Sequence, residues 1–269
     1  MELTIKETLL QQFCGIADLM YQKGWDERNG GNISMLLRDE DLTDAAEPLE
    51  KRDYELGYQV PELAGRCFLV TGSGKYFKNV LAAPEENLGV IRILEDGEHY
   101  RILWGLAGGA KPTSELPTHL MNHAARLKAD PEHRIVMHCH PANLLAISFV
   151  HSLDERELTR TLWKMCAECV IVFPEGVGVL PFMLCGTREI GIATAQKIAD
   201  CRLVLWPHHG IFGTGRDLDE AFGLIETAEK AAEIYMKIAP VGIRQSISDE
   251  GLHELADAFH VQPKEGYLE

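Results

Sequence analysis

Two histidines one residue apart close an apolar run in IVMHCHP, residues 135–141, and such a pair can hold a metal ion. If residues 134–140 form a strand, His138 and His140 project from one face, about 7 Å apart along the chain, while Cys139 points the other way. Both imidazoles then reach one ion. Zinc takes nitrogen ligands at about 2.0 to 2.1 Å, and a catalytic zinc commonly has three protein ligands with a position left open for substrate. A third ligand is offered by LVLWPHHG, where a second apolar run ends in His208, His209 and Gly210. Adjacent residues of an extended chain face opposite ways, so spacing admits one of these histidines without choosing between them. His119 and His123, four apart on an expected helix, form a rival pair. The residue after His119 is Leu120, however, where a HExxH zinc protease needs glutamate.

In PTSELPTHL, residues 112–120, Thr113 and Ser114 suit a helix start whose free amides can bind an anion. Glu115 follows directly, as an acid/base or as a complement to the helix dipole. Two glycine-rich loops, NGGN at 29–32 and TGSGK at 71–75, can bring backbone amides close to a phosphate, or serve as ordinary tight turns. TGSGK is not a nucleotide-binding P-loop, because Leu69 and Tyr76 stand where that motif needs glycine and Ser or Thr. CAEC, residues 166–169, has the spacing of half a zinc or redox site; no second CxxC accompanies it, and core cysteines are expected.

These residues need a frame. Thr4 and Glu7 read as a capping box opening an amphipathic helix that Gly24 stops. Strands are expected at 33–37, 67–71 and 90–94, the last joined through Asp96 and Gly97 to a strand at 99–104. A helix follows from near Ser114 to Lys128, with strands at 134–140, 168–173 and 202–206 and a helix at 187–200. Asp217 with Glu220 caps a long amphipathic helix, and Ser248 caps a last one. Hairpins mixed with crossover helices predict an α/β chain, a mixed sheet with helices on its faces rather than a Rossmann alternation.

The chain has 269 residues, 46% of them hydrophobic, with no linker or repeat to divide it, so one domain over 1–269 is expected. The acidic, turn-rich run at 39–65 reads as a surface insertion. A formal charge of -15 disfavours nucleic acid and anionic membrane as partners. No stretch approaches the roughly 18 apolar residues of a membrane span, and no export signal is evident. Seven scattered cysteines argue for a reducing compartment, hence a cytoplasmic location.

Taken together, KGWDERNGGNIS, FLVTGSGKYFKN, ILWGL, PTSELPTHL, IVMHCHP and LVLWPHHGIFGTG resemble, in order, the class II aldolase family that also includes pentulose-phosphate 4-epimerases. The resemblance spans residues 24–237. It implies a three-layer α/β/α fold with a mostly antiparallel sheet, commonly assembled as a homotetramer. It implies one zinc per subunit on His138, His140 and His209, although His208 stands where a bulky apolar residue is expected. Glu115 becomes the acid/base, and Glu168 matches a glutamate that reaches a neighbouring subunit's site. The substrate phosphate falls to Asn29, Gly31, Asn32, Ser73, Gly74, Thr113 and Ser114. The implied reaction is metal-dependent retro-aldol cleavage of a sugar phosphate, a ketose 1-phosphate. Its rivals are fuculose-phosphate cleavage or pentulose-phosphate epimerisation on the same scaffold, and a non-catalytic interaction module.

Overall fold

The apolar runs read from the sequence become strands of one nine-stranded sheet in the computed structural model, which describes residues 4–43 and 53–269. The chain opens with α1 (Glu7–Gln22), β1 (Asn32–Leu37), β2 (Asp53–Glu55), β3 (Cys67–Thr71), α2 (Pro84–Asn87), β4 (Leu88–Ile93) and β5 (His99–Gly105). Then come α3 (Leu116–Ala129), β6 (Ile135–Cys139), α4 (Ala142–Val150), α5 (Glu155–Met165), α6 (Glu168–Val172) and β7 (Val177–Val179). It ends with α7 (Arg188–Ile198), β8 (Leu203–Trp206), β9 (Gly210–Gly215), α8 (Leu218–Ile238) and α9 (Asp249–Ala258). Strand order is β2-β5-β4-β3-β1-β6-β9-β8-β7. Every neighbouring pair is antiparallel except β7 with β8.

Helices cover both faces, giving three layers. The period of two along each strand decides which side chain meets which layer. Ile33, Met35, Ile135, Met137 and Cys139 bury with residues of α1, α4, α5 and α8 in the larger core. Leu36, Phe68 and Ile91 face the other way, packing with Leu116, Leu120 and Ala124 of α3. Val136, Val204, Trp206 and Phe212 share that second face with Ile190 and Ile198 of α7. Covered on both sides, the central strands read as continuous apolar runs rather than alternating ones.

Two local expectations are corrected. Residues 168–173 were expected as a strand, but Glu168–Val172 is helical, with the Phe173 N–H donating to Cys169 O at 3.0 Å. A short apolar run does not tell a strand from one buried helical turn, and here the sheet position goes to β7 instead. The first helix is capped by Lys6 without a side-chain bond, because Thr4 is buried and its carbonyl accepts from the Thr43 N–H. Part of 39–65 is built into the fold: Asp53–Glu55 forms the edge strand, and Tyr58, Val60 and Leu63 bury in the second core. Residues 44–52 of that run lie outside the described residues.

Candidate active site

Antiparallel pairing gathers the chemistry-bearing segments at one end of the sheet. Asn32 starts β1 opposite His138 near the end of β6, and Thr71 ends β3 one strand away. Trp206, ending β8, pairs with Gly210, which opens β9. The turn between these two strands carries His208 and His209, so it projects from the same sheet end.

His138, His140 and His209 form a compact group, with one ligand atom from each lying within 4.8 Å of the others. Their hydrogen bonds assign the free nitrogens. His138 Nδ1–H donates to Ile211 O at 3.1 Å, and His140 Nδ1–H donates to Glu27 Oε1 at 2.8 Å. That leaves two Nε2 lone pairs facing each other at 3.2 Å. In the neutral form that metal ligation requires, both nitrogens turn a lone pair toward the same point, so the donor set fits a metal ion. Burial, reinforced by the neighbouring imidazoles, holds His138 well below the ordinary range, and burial puts His209 at about 4. Metal ligands must be neutral, and burial keeps His138 and His209 so.

His208 points elsewhere. Its backbone takes a left-handed φ of 64°, its N–H donates to Ser148 Oγ at 3.0 Å, and its ring lies 4.2 Å from that of Phe149. The turn thus separates the adjacent histidines, a choice spacing left open. The rival pair His119 and His123 also lies away from the group, each bonded to Ser34 in the interior. Glu27, which orients His140, was not singled out in the sequence, and no spacing rule would have found this exposed residue.

Two glycines let the backbone close around the histidines. A Cβ on Gly30 would lie 2.7 Å from His140 Cε1, and one on Gly210 would lie 2.4 Å from Cys139 O and 2.9 Å from His138 Cε1. Neither space admits a methyl group.

Glu115 sits just before α3, with Oε2 3.7 Å from His138 Nε2 and accepting from Asn32 Nδ2 at 2.9 Å. Burial pushes its carboxyl up to about 7, against the lowering bond from Asn32. A carboxyl poised near neutrality beside a candidate metal centre can take and return protons.

The two segments expected to hold phosphate lie side by side. The Ser73 N–H donates to Lys111 O and the Thr113 N–H to Thr71 O, both at 2.8 Å, while Gly72 bridges Pro112. Ser73, Gly74 and Ser114 are exposed there; Thr113 is buried and its hydroxyl accepts from the Glu115 N–H at 3.2 Å. Asn29 is exposed and Gly31 buried in the loop before β1, and the Asn32 side chain is engaged with Glu115. Glu168 is exposed at the start of α6, where it accepts from Cys166 Sγ at 2.9 Å.

Residues 11–236 match the family model described as class II aldolase and adducin N-terminal domain. The chain is 59% identical over 252 residues to a rhamnulose-1-phosphate aldolase of Enterococcus faecalis, an alignment covering 93% of this chain and 90% of the relative. It is 49% identical to one from Mannheimia succiniciproducens, over 93% of each. Among solved structures, a sugar-phosphate aldolase from Thermotoga maritima superposes with a TM-score of 0.77 at 33% identity, over 88% of this chain and 97% of that one.

Proposed function

The chain belongs to the class II aldolase and adducin N-terminal domain family, and from that premise we propose that it is a zinc-dependent lyase that cleaves L-rhamnulose 1-phosphate to dihydroxyacetone phosphate and L-lactaldehyde. The substrate is that of relatives 49% and 59% identical over nearly the whole chain. The observation that carries the chemistry is the placement of a buried carboxyl 3.7 Å from a histidine of the three-imidazole group.

His138, His140 and His209 would hold the zinc, a choice favoured by three nitrogen donors. When bound, zinc supplies a Lewis acid for the negative charge that develops as the C3–C4 bond of the ketose breaks. The chain's own residues do the rest. Ser73, Gly74, Thr113 and Ser114, with Asn29, Gly31 and Asn32, would receive the phosphate through short hydroxyl and amide side chains and through backbone amides other than those of Ser73 and Thr113, which are bonded to Lys111 and Thr71. Amides near the start of α3 add the favourable end of its dipole. A base removes the C4 hydroxyl proton as the C3–C4 bond breaks and the aldehyde departs, and protonated Glu115 delivers a proton to C3 of the enediolate that remains. Acid/base action contributes about 10² to 10⁴ in rate, roughly 3 to 5 kcal/mol, whereas enzymatic accelerations need at least about 8. Glu115 therefore shares the work with charge stabilisation.

The reading extends to assembly and place. Phe149, Val150, Phe182 and Leu184 are exposed apolar side chains on or beside the segments flanking His208, which suits burial between subunits of a homotetramer. Glu168 would then act in a neighbouring subunit's site. Seven free cysteines suit the cytoplasm. Among the described residues, no helix is long and apolar enough to cross a membrane.

The test is release of dihydroxyacetone phosphate, followed with a coupled reductase, from L-rhamnulose 1-phosphate and L-fuculose 1-phosphate after chelation and after zinc is restored. The proposal expects zinc-restored release with a clear preference for the rhamnulose ester. Preference for the fuculose ester, or release that chelation leaves untouched, overturns it.

A further inference from the structure

Between β1 and α3 runs a row of buried polar side chains that ends on Glu115. Asn32 and Ser34 alternate onto one face of β1, while Glu115, His119 and His123 succeed each other at four-residue intervals along α3. A strand repeat of about 6.7 Å thus faces a helix repeat of about 6 Å, and the two sets interlock. Asn32 Nδ2 donates to Glu115 Oε2 at 2.9 Å, and Asn32 Oδ1 meets His119 Nε2. Ser34 Oγ lies 2.6 Å from His119 Nδ1 and 2.8 Å from His123 Nε2, and His123 Nδ1 lies 2.9 Å from His133 Nε2. Ser34, His119 and His123 have no exposed surface, and Asn32 and His133 almost none.

The donor inventory orients every bond in the row. With its NH2 on the carboxyl, Asn32 presents an oxygen to His119, which fixes a proton on His119 Nε2 and a lone pair on Nδ1. Ser34 must then donate to His119, and its oxygen accepts from His123 Nε2–H. His123 Nδ1 is left to accept from His133 Nε2–H. Five bonds point one way, toward Glu115. Burial keeps the three imidazoles neutral, so each has a single proton to place.

The row is badly built for conducting protons, because the Asn32 amide would have to pass through its imidic acid form. It is well built for setting which way that amide faces. A flipped Asn32 would press its oxygen against the Glu115 carboxylate and force every proton in the row to reverse, and an unmade buried bond is costly.

We infer that Ser34, His119, His123 and His133 are positioning residues: their one-way donor chain holds the Asn32 NH2 on Glu115 and so keeps that carboxyl aimed at the histidine group. Its catalytic consequence rests on the reading of Glu115 as acid/base, whereas the polarity of the chain does not.

The experiment has two arms. Imidazole ¹⁵N spectra of the zinc-loaded protein read the tautomers, and all three buried histidines are expected neutral with the proton on Nε2; one Nδ1–H tautomer or one imidazolium among them overturns the inference. In the second arm, Ser34→Ala, which cuts the chain, should lower kcat by about tenfold, the scale of one misplaced charge-assisted bond, with KM and zinc content unchanged. Ser34→Thr, which restores the hydroxyl, should recover most of the loss. A folded, zinc-loaded Ser34→Ala with normal kcat overturns the inference; if that variant does not fold, the wild-type tautomers decide. Should the wild type cleave no ketose 1-phosphate, the functional reading fails, and the tautomers still support or overturn the chain.

Discussion

Glu115 Oε2 lies 3.7 Å from His138 Nε2, and both side chains are buried. The carboxyl reaches this position from the start of α3, the imidazole from the end of β6, and Asn32 on β1 bonds the first while pairing in register with the second. Three elements distant in sequence thus fix one buried carboxyl beside one cluster of nitrogen donors.

Glu115→Gln keeps the shape and an oxygen for Asn32 but removes the titratable group. Turnover should fall by about 10² to 10⁴ while zinc content and thermal midpoint stay near normal. Metal analysis beside steady-state kinetics checks this, and near-normal turnover removes Glu115 from the chemistry.

The adjacent histidines of the β8–β9 turn should separate cleanly. His209→Ala and His140→Ala are each expected to lose stoichiometric zinc, since two nitrogen donors remain where three were grouped. His208→Ala, whose ring packs on Phe149, should retain it. Zinc retained by His209→Ala and lost by His208→Ala would reverse the ligand assignment.

Gly30→Ala tests the close approach of the loop before β1. The added methyl would meet the His140 ring at 2.7 Å and push it from its place beside His138. Zinc affinity should drop by at least about tenfold, as it does when support of a ligand is disturbed, with secondary structure intact by circular dichroism. Unchanged affinity would show that the ring has room to move.

Acid should destabilise the metal-free protein. Burial holds His119 and His133 at about 3 and His123 and His138 well below their ordinary range, while the unfolded chain protonates them near 6.5. Their stability contribution is fully present above about 6.5 and is lost as pH falls, by up to about 1.4 kcal/mol per pH unit for each imidazole. Glu115 and Asp26, both pushed up to about 7 by burial, act in the opposite sense, since below 7 the folded chain binds their protons first. Four imidazoles outweigh two carboxyls. Urea midpoints taken from about pH 7 down to about pH 5 should therefore fall, and a flat or rising series would contradict the burial of these groups.

Much of this was legible from residue type and period. IVMHCHP placed His138 and His140 on one face because the strand period is two, and capping by Asp217 and Ser248 marked the last two helices correctly. What escaped had physical causes. Residues 210–215 hold three glycines among six residues, a composition poor in strand signal, yet they form β9. ECVIV is too short for a period to separate one helical turn from a strand. The choice of His209 over His208 depended on a left-handed turn residue, and Glu27 on a loop path that no local pattern encodes. The four-residue spacing of His119 and His123, which suits a metal pair, instead brings both rings to the Ser34 hydroxyl.

The most direct test of the central claim, that Glu115 moves a proton at the carbon that becomes nucleophilic, is hydrogen exchange without any aldehyde. Zinc-loaded wild type incubated with dihydroxyacetone phosphate in deuterated water should place one deuterium stereospecifically on the hydroxymethyl carbon, read by proton NMR, and zinc-loaded Glu115→Gln should not. Exchange at an equal rate in the variant would assign the proton transfer to another group and contradict the account.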